Sequence, residues 1–369
     1  MPDDMVPPQA ADGVSSGLLV QILNAAHVAR CSDLHFRVGK PPYGRAQGRL
    51  FAMDGAALTE ADIRGIIKTS AKRALPDELD SGAFEYSFEQ TGVSRFRGHA
   101  FLENGKWALA LRTVPLNVPG FNELRLPPVV KRFCEMSSGL VLISGPTGSG
   151  KSTTAAAMLD HIVRTELIHL VSIEDPIEYR VDHGQSCVSQ REVGSDVPTF
   201  VQGIRAAMRE DPDIIFVGEV RDRDSLEAVL NAGETGHSVI STYHTQTAAH
   251  TIRRIVGSFP NDEQQSIRDR LADCLRGIIA QRLVPLANGQ GRVLCSEVMV
   301  NNYSVKECIR DPVKLKGLTQ LIEKSNAENM HSFDQSLANL VRSRLVDPKV
   351  ALANATSPNN LRRSFNGAY

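Results

Sequence analysis

Leu140-Val141-Leu142-Ile143-Ser144 runs directly into Gly145-Pro146-Thr147-Gly148-Ser149-Gly150-Lys151-Ser152-Thr153, and the fold turns on this junction. The first stretch is continuously apolar, the pattern of a strand buried on both faces. The second fits G-x-x-x-x-G-K-[ST], a glycine-rich turn whose backbone N–H groups curl around phosphate oxygens. The segment that follows, Thr153 to Val163, reads as a helix, and its N-terminus adds partial positive charge beside the same oxygens. Lys151 would reach the β- and γ-phosphates, and the Ser152 hydroxyl would ligate Mg²⁺. Strand, turn and helix in that order are what the motif needs to bind a nucleotide.

Outward from this unit the chain alternates. Leu167 to Ile173, Ile214 to Val217 and Ser238 to Ser241 are further apolar-rich runs, separated by helical stretches such as Phe200 to Met208 and Ser225 to Asn231. Buried parallel strands joined by crossover helices give this pattern, which predicts an α/β fold. In such a sheet ligands bind outside the carboxyl ends of the strands. Glu219 stands at one such end, after Asp213-Ile214-Ile215-Phe216-Val217-Gly218. Glu174-Asp175-Pro176-Ile177-Glu178 follows another. Glu219 and Glu178 are two carboxylates converging on a phosphate loop, an arrangement that calls for a cation and can polarise an attacking water. Asp175 has two readings, a ligand or the opening of a turn before Pro176. His244 follows the strand Ser238–Ser241, where an imidazole can sense the γ-phosphate. His237, just before that strand, reads equally as a structural hydrogen-bonder.

On the N-terminal side the pattern differs. Residues 1–16 read as a flexible tail. Leu18 to Ala29 and Glu60 to Ser70 read as helices, the latter with Thr59 as its cap. Asp33 to Val38 and Arg95 to Phe101 alternate like half-buried strands, which makes residues 17–112 an α+β domain. Pro115, Pro119, Pro127 and Pro128 fall in residues 113–128, read as a stiff linker because proline fixes φ and lacks a donor. The remainder, 129–345, carries the phosphate loop and ends mainly in helices: Asn261 to Leu283, Val305 to Arg310, Lys314 to Asn326 and Ser332 to Arg344. Residues 346–369 read as a C-terminal tail.

Composition narrows the function classes. The 369 residues carry 41 Lys plus Arg against 42 Asp plus Glu, a formal net charge of -1. That balance, with no basic stretch interleaved with aromatics, argues against nucleic acid as a partner. No apolar run approaches the roughly 18 residues of a membrane span, and Met1 to Ser16 lacks the charge and core of a signal peptide. Cys31, Cys134, Cys187, Cys274, Cys295 and Cys308 stand singly, without a C-x-x-C pair, which points to reduced thiols and no zinc ribbon.

Four segments carry a resemblance. Gly145–Thr153 is similar to the Walker A loop of the secretion-type ATPases of bacterial type II and type IV systems. Ser172–Tyr179 resembles their Asp box, Asp211–Asp222 their Walker B segment and Thr235–Thr245 their His box; Gln202–Asp213 resembles their approach to Walker B. Ser32-Asp33-Leu34-His35 and Gly39-Lys40-Pro41-Pro42 resemble the PAS-like N-terminal domain of the family's type IV pilus retraction branch. Ser304 to Asp311 resembles a helix of that branch, with Lys306 and Cys308 departing from its usual arginine and leucine; Tyr243 departs from a small or aliphatic residue in the His box.

The resemblance implies a PAS-like domain joined to a RecA-like P-loop ATPase domain that hydrolyses ATP with Mg²⁺. It implies a homohexamer in which Arg97 and Arg112 reach the neighbouring subunit's nucleotide. The motor would drive pilus retraction against an inner-membrane platform protein, with other pilus ATPases as further partners. Its place would be cytoplasmic, peripheral at the inner face of the cytoplasmic membrane. The single cysteines set it apart from the zinc-bearing assembly branch, and Pro146 and Asp175 set it apart from many secretion and conjugation relatives.

Overall fold

The computed structural model describes residues 11–46, 48–71, 82–114 and 118–366. They form two units, divided between Asn117 and Val118.

The first unit contains α1 (Ala11–Val28), β1 (Asp33–Phe36), β2 (Tyr43–Ala46), β3 (Arg49–Ala52), α2 (Glu60–Ala71), β4 (Ala83–Gln90), β5 (Ser94–Glu103) and β6 (Lys106–Val114). Its six strands pair antiparallel in the order β3-β2-β1-β6-β5-β4. Alternation along the strands separates the two faces. Leu34, Phe36, Phe96, Leu109 and Leu111 bury one face beneath Leu19 and Leu23 of α1 and Ile63, Ile66 and Ile67 of α2. Each isoleucine is fully buried, worth about 1.5–3 kcal/mol. Thr59 caps α2 as the sequence suggests, its hydroxyl accepting from the Asp62 N–H at 3.2 Å. The helix α1 begins at Ala11, inside the segment read as a tail; residues 1–10 of that segment lie outside the described residues.

The second unit opens with α3 (Phe121–Leu124) and α4 (Val129–Cys134). Then follow β7 (Gly139–Ser144), α5 (Lys151–Thr165), β8 (His169–Glu174), β9 (Cys187–Glu192), α6 (Phe200–Ala207), β10 (Ile214–Val217), α7 (Arg223–Glu234) and β11 (Ser238–Tyr243). Next come α8 (Ala248–Gly257), α9 (Gln264–Cys274), β12 (Leu275–Pro285), β13 (Arg292–Val300), α10 (Tyr303–Arg310), α11 (Leu318–Lys324), α12 (Phe333–Arg342), α13 (Pro348–Asn354) and α14 (Pro358–Asn366). The sheet order is β13-β12-β7-β11-β10-β8-β9. All neighbours are parallel except β12 and β13. Parallel strands need both faces covered, and two apolar clusters do this, one around α6 to α10 and one around α4 and α5.

Three readings of the sequence need correction. Asn261 to Leu283 is not one helix: α9 ends at Cys274 and the chain turns extended at Leu275 (φ -62°, ψ 137°) into β12. Ile267, Leu271, Leu275 and Ile278 keep helical spacing across the break, so periodicity alone does not reveal it. Residues 346–369 are not simply a tail, because α13 and α14 lie within them. Val346, Ala351 and Leu361 are buried with Phe333 and Leu337 of α12 and with Val284 and Val293 of β12 and β13. Finally, the proline-rich stretch is partly core: Leu126 is buried, with Phe121 and Leu124 packed beside it. Residues 115–117 of that stretch lie outside the described residues.

Candidate active site

Every residue of β7 is buried, and the chain leaves it through Gly145 (φ 156°) and Gly148 (φ 77°) to Gly150 (φ 90°), which opens α5. A Cβ on Gly145 would overlap Ser149 Oγ and the Gln281 carbonyl, so the tight turn admits only glycine. The Lys151 ammonium folds over its own loop, donating to the carbonyls of Gly145 (2.9 Å) and Pro146 (3.1 Å). Burial lowers its pKa, and the negative charges of Glu219 and Glu178 oppose that shift. Both predicted carboxylates therefore lie within electrostatic reach of the lysine, although 68 and 27 residues downstream of it by numbering. Ser152 and Thr153 are half-buried in the first turn of α5.

Glu219 sits two residues beyond β10. The strand end is fastened to β11 by Ser241 Oγ donating to the Val217 carbonyl (2.8 Å) and Thr242 Oγ1 donating to the Gly218 carbonyl (2.6 Å). That register carries His244 to Glu219, with Nε2 2.7 Å from Oε2. The other oxygen, Oε1, pairs with Arg221. Arg221 lies inside the Asp211–Asp222 segment, but its sequence position does not reveal that it pairs with Glu219. His237, by contrast, sits at the opposite end of β11, its Nδ1 within 3.2 Å of the Ala232 carbonyl and of Thr235 Oγ1. It is a structural hydrogen-bonder. Tyr243 is buried in the main apolar cluster, which accounts for a large side chain at that position.

Glu178 is exposed on the irregular segment between β8 and β9. Beneath it Glu174 is buried and accepts from Ser172 Oγ (2.8 Å) and Gln190 Nε2 (3.0 Å). Loss of water pushes the Glu174 carboxyl up to about 7, against the hydrogen bonds from Ser172, Gln190 and the Glu178 backbone. Asp175 is exposed and lines a cleft of about 890 Å³ between α6 and α7, together with Gln202, Arg205 and Arg221.

Arg97 and Arg112 belong to the first unit and form a pair of their own. They stand opposite each other on β5 and β6. Like charges in that position repel, and each has a carboxylate beside it: Glu85 2.7 Å from Arg97 and Asp33 3.0 Å from Arg112. The Arg112 side chain is 73% exposed.

The second unit offers hydroxyl and carboxylate oxygens near the phosphate loop, the hard donors that suit Mg²⁺. Among the described residues no three His, Cys, Asp or Glu side chains converge as a metal cage.

Comparison with known proteins matches residues 112–346 to the family described as type II/IV secretion system protein. The type IV pilus retraction ATPase PilT of Pseudomonas aeruginosa is 38% identical over 333 residues, covering 89% of this chain and 95% of that protein. A twitching motility protein of Neisseria gonorrhoeae is 39% identical over 277 residues, 75% of this chain and 74% of that one. The crystal structure of the pilus retraction motor PilT with bound ADP aligns with a TM-score of 0.85 and 39% identity, covering 94% of this chain and 99% of that one.

Proposed function

The chain belongs to the type II/IV secretion system protein family, and on that premise we propose that it is a hexameric ATP hydrolase that powers type IV pilus retraction, and with it twitching motility. The observation that supports this reading is the phosphate-loop turn itself, which leaves buried β7, opens α5 at Gly150 and carries the Lys151 ammonium folded over the Gly145 and Pro146 carbonyls.

ATP would lie on Gly145–Thr153, its phosphates taken by the loop amides, the α5 N-terminus and Lys151. Mg²⁺, held by Ser152 with Glu219 and Glu178, would supply charge neutralisation at the β- and γ-phosphates. Glu219 would orient the attacking water and accept its proton, with His244 fixing the carboxylate. Glu178 would hold that water from the other side. Arg97 and Arg112 of a neighbouring protomer would neutralise the charge that spreads over the transferring phosphoryl group, an effect worth roughly 10³–10⁵ in rate in arginine-finger systems. A P-loop domain of RecA type and a PAS-like N-terminal domain are the finer fold reading that goes with this mechanism.

Among the described residues no helix is long and apolar enough to cross a membrane. In the proposed motor the ring works in the cytoplasm, peripheral to the inner membrane, and bears on a platform protein embedded there. Other pilus ATPases are further partners in this reading, while nucleic acid and zinc have no part in it.

Glu219→Gln tests the chemistry. ATP binding should persist while hydrolysis is lost; undiminished turnover would remove Glu219 from the catalytic role.

A further inference from the structure

We infer that Tyr179 is a positioning residue for Glu178, coupling the segment that carries this carboxylate to the helix that holds the phosphates. The inference rests on the reading of Glu178 just given and adds how that side chain is kept in place.

Residues 175–186 contain neither helix nor strand, so Glu178 gains no rigidity from its own backbone ladder. A carboxylate that holds water must nevertheless keep a fixed geometry, because small displacements cost large factors in rate. Its own backbone N–H is held by buried Glu174, and further support comes from the flanks. On one side the Ile177 N–H donates to Glu192 Oε2 at 3.2 Å. On the other, Gln190 of β9 grips two alternate residues of the segment. Its Nε2 donates to the Tyr179 carbonyl at 2.9 Å, and its Oε1 accepts from the Val181 N–H at 3.0 Å. These contacts tie Glu178 to β9, an edge strand away from the phosphates.

A further tie reaches the phosphate-binding helix. The Tyr179 hydroxyl lies 3.0 Å from Thr153 Oγ1, across 26 residues of sequence. Thr153 is the last residue of the phosphate-loop motif and neighbours Ser152 in the first turn of α5. Tyr179 thus hydrogen-bonds the Glu178 segment directly to the phosphate-binding helix through its side chain. Deleting the hydroxyl leaves the ring and its packing, yet frees Glu178 from the register of α5. Because the Tyr179 hydroxyl meets the Thr153 side chain and not the reacting atoms, its loss should appear chiefly in turnover.

Steady-state ATP turnover and ADP affinity, measured on the full-length protein, test this with Tyr179→Phe, Glu178→Gln and the double variant, each checked for an unchanged melting temperature. Tyr179→Phe should lower kcat by roughly three- to tenfold, the kinetic equivalent of one ordinary hydrogen bond, with KM and ADP affinity within about twofold of wild type. In the Glu178→Gln background the same substitution should produce no further loss, since the group being positioned is already disabled. An unchanged kcat in Tyr179→Phe, or an equal loss in both backgrounds, would overturn the positioning role. Wild-type turnover by Glu178→Gln alone would instead overturn the reading of Glu178 on which the inference stands.

Discussion

Glu219 has one oxygen against His244 and the other against Arg221. Replacing the carboxylate by a carboxamide preserves size and most contacts but removes the base, so Glu219→Gln should lose at least about a hundredfold in hydrolysis, the lower range of general-base effects. Nucleotide affinity, set by Lys151 and the loop, should remain. A measurement of both quantities separates the two roles. Residue by residue, the site was legible where chemistry imposes a local pattern. Gly145 must be glycine because its turn has no room for a Cβ, and Glu219 announces itself by standing at a strand end. Tyr179 and Arg221 stand inside the Ser172–Tyr179 and Asp211–Asp222 segments, yet the contacts they make are not legible there. Their partners are fixed by tertiary folding, and a hydroxyl pair separated by 26 residues leaves no spacing to read. His237 and His244 carried similar signals as single residues, and only the ends of β11 that they occupy distinguish them.

At the scale of elements, β13 and α8 share a buried acid. Glu297 is 3% exposed and accepts from the Ala248 N–H at 2.8 Å, in the first turn of α8. Burial pushes its carboxyl from an ordinary 4.5 up to about 7, the hydrogen bond from Ala248 and the charge of Arg282 opposing the rise. The folded protein thus holds a proton that the unfolded chain releases above about pH 4.5, so stability falls as pH rises from about 4.5 to about 7. Glu297→Gln keeps the acceptor for Ala248 and removes the charge. Its melting temperature should exceed wild type by a few degrees at pH 8, with the difference vanishing near pH 4.5. A uniform loss at both pH values in a thermal-melt series would contradict this.

The element α10 shows how departures from a familiar pattern are absorbed. Lys306 stands 3.8 Å from Asp273 and Arg310 stands 2.8 Å from the same carboxylate, so a lysine still pins α10 to α9. Cys308 packs against the main apolar cluster in the place of a larger residue. Strands and helices with one clear period were read well from sequence. β12 was misread because its apolar residues continue the spacing of α9, and α13 was missed because it is short and held by packing. Asp347 capping Lys349, with Pro348 at the first helical position, was the local signal available for α13.

Over the whole molecule, the chain divides between Asn117 and Val118 into a unit with the Arg97–Arg112 pair and a unit with the phosphate loop. Prolines interrupt both periodicities in residues 113–128, whereas the packing of Leu126 into the second core depends on contacts distant in sequence. In the proposed ring each nucleotide borrows Arg97 and Arg112 from a neighbour. Arg112→Ala protein mixed with wild type should then depress turnover in proportion to the interfaces it occupies, and a fully active monomer would reject borrowed arginines altogether.

Retraction by this motor sets how many pili stand on the cell surface, a number counted by electron microscopy. Cells lacking the gene should carry excess pili and fail to twitch, with both defects corrected by the wild-type gene and neither by Glu219→Gln. Bald cells, or cells with normal pilus numbers and normal twitching, would contradict the account.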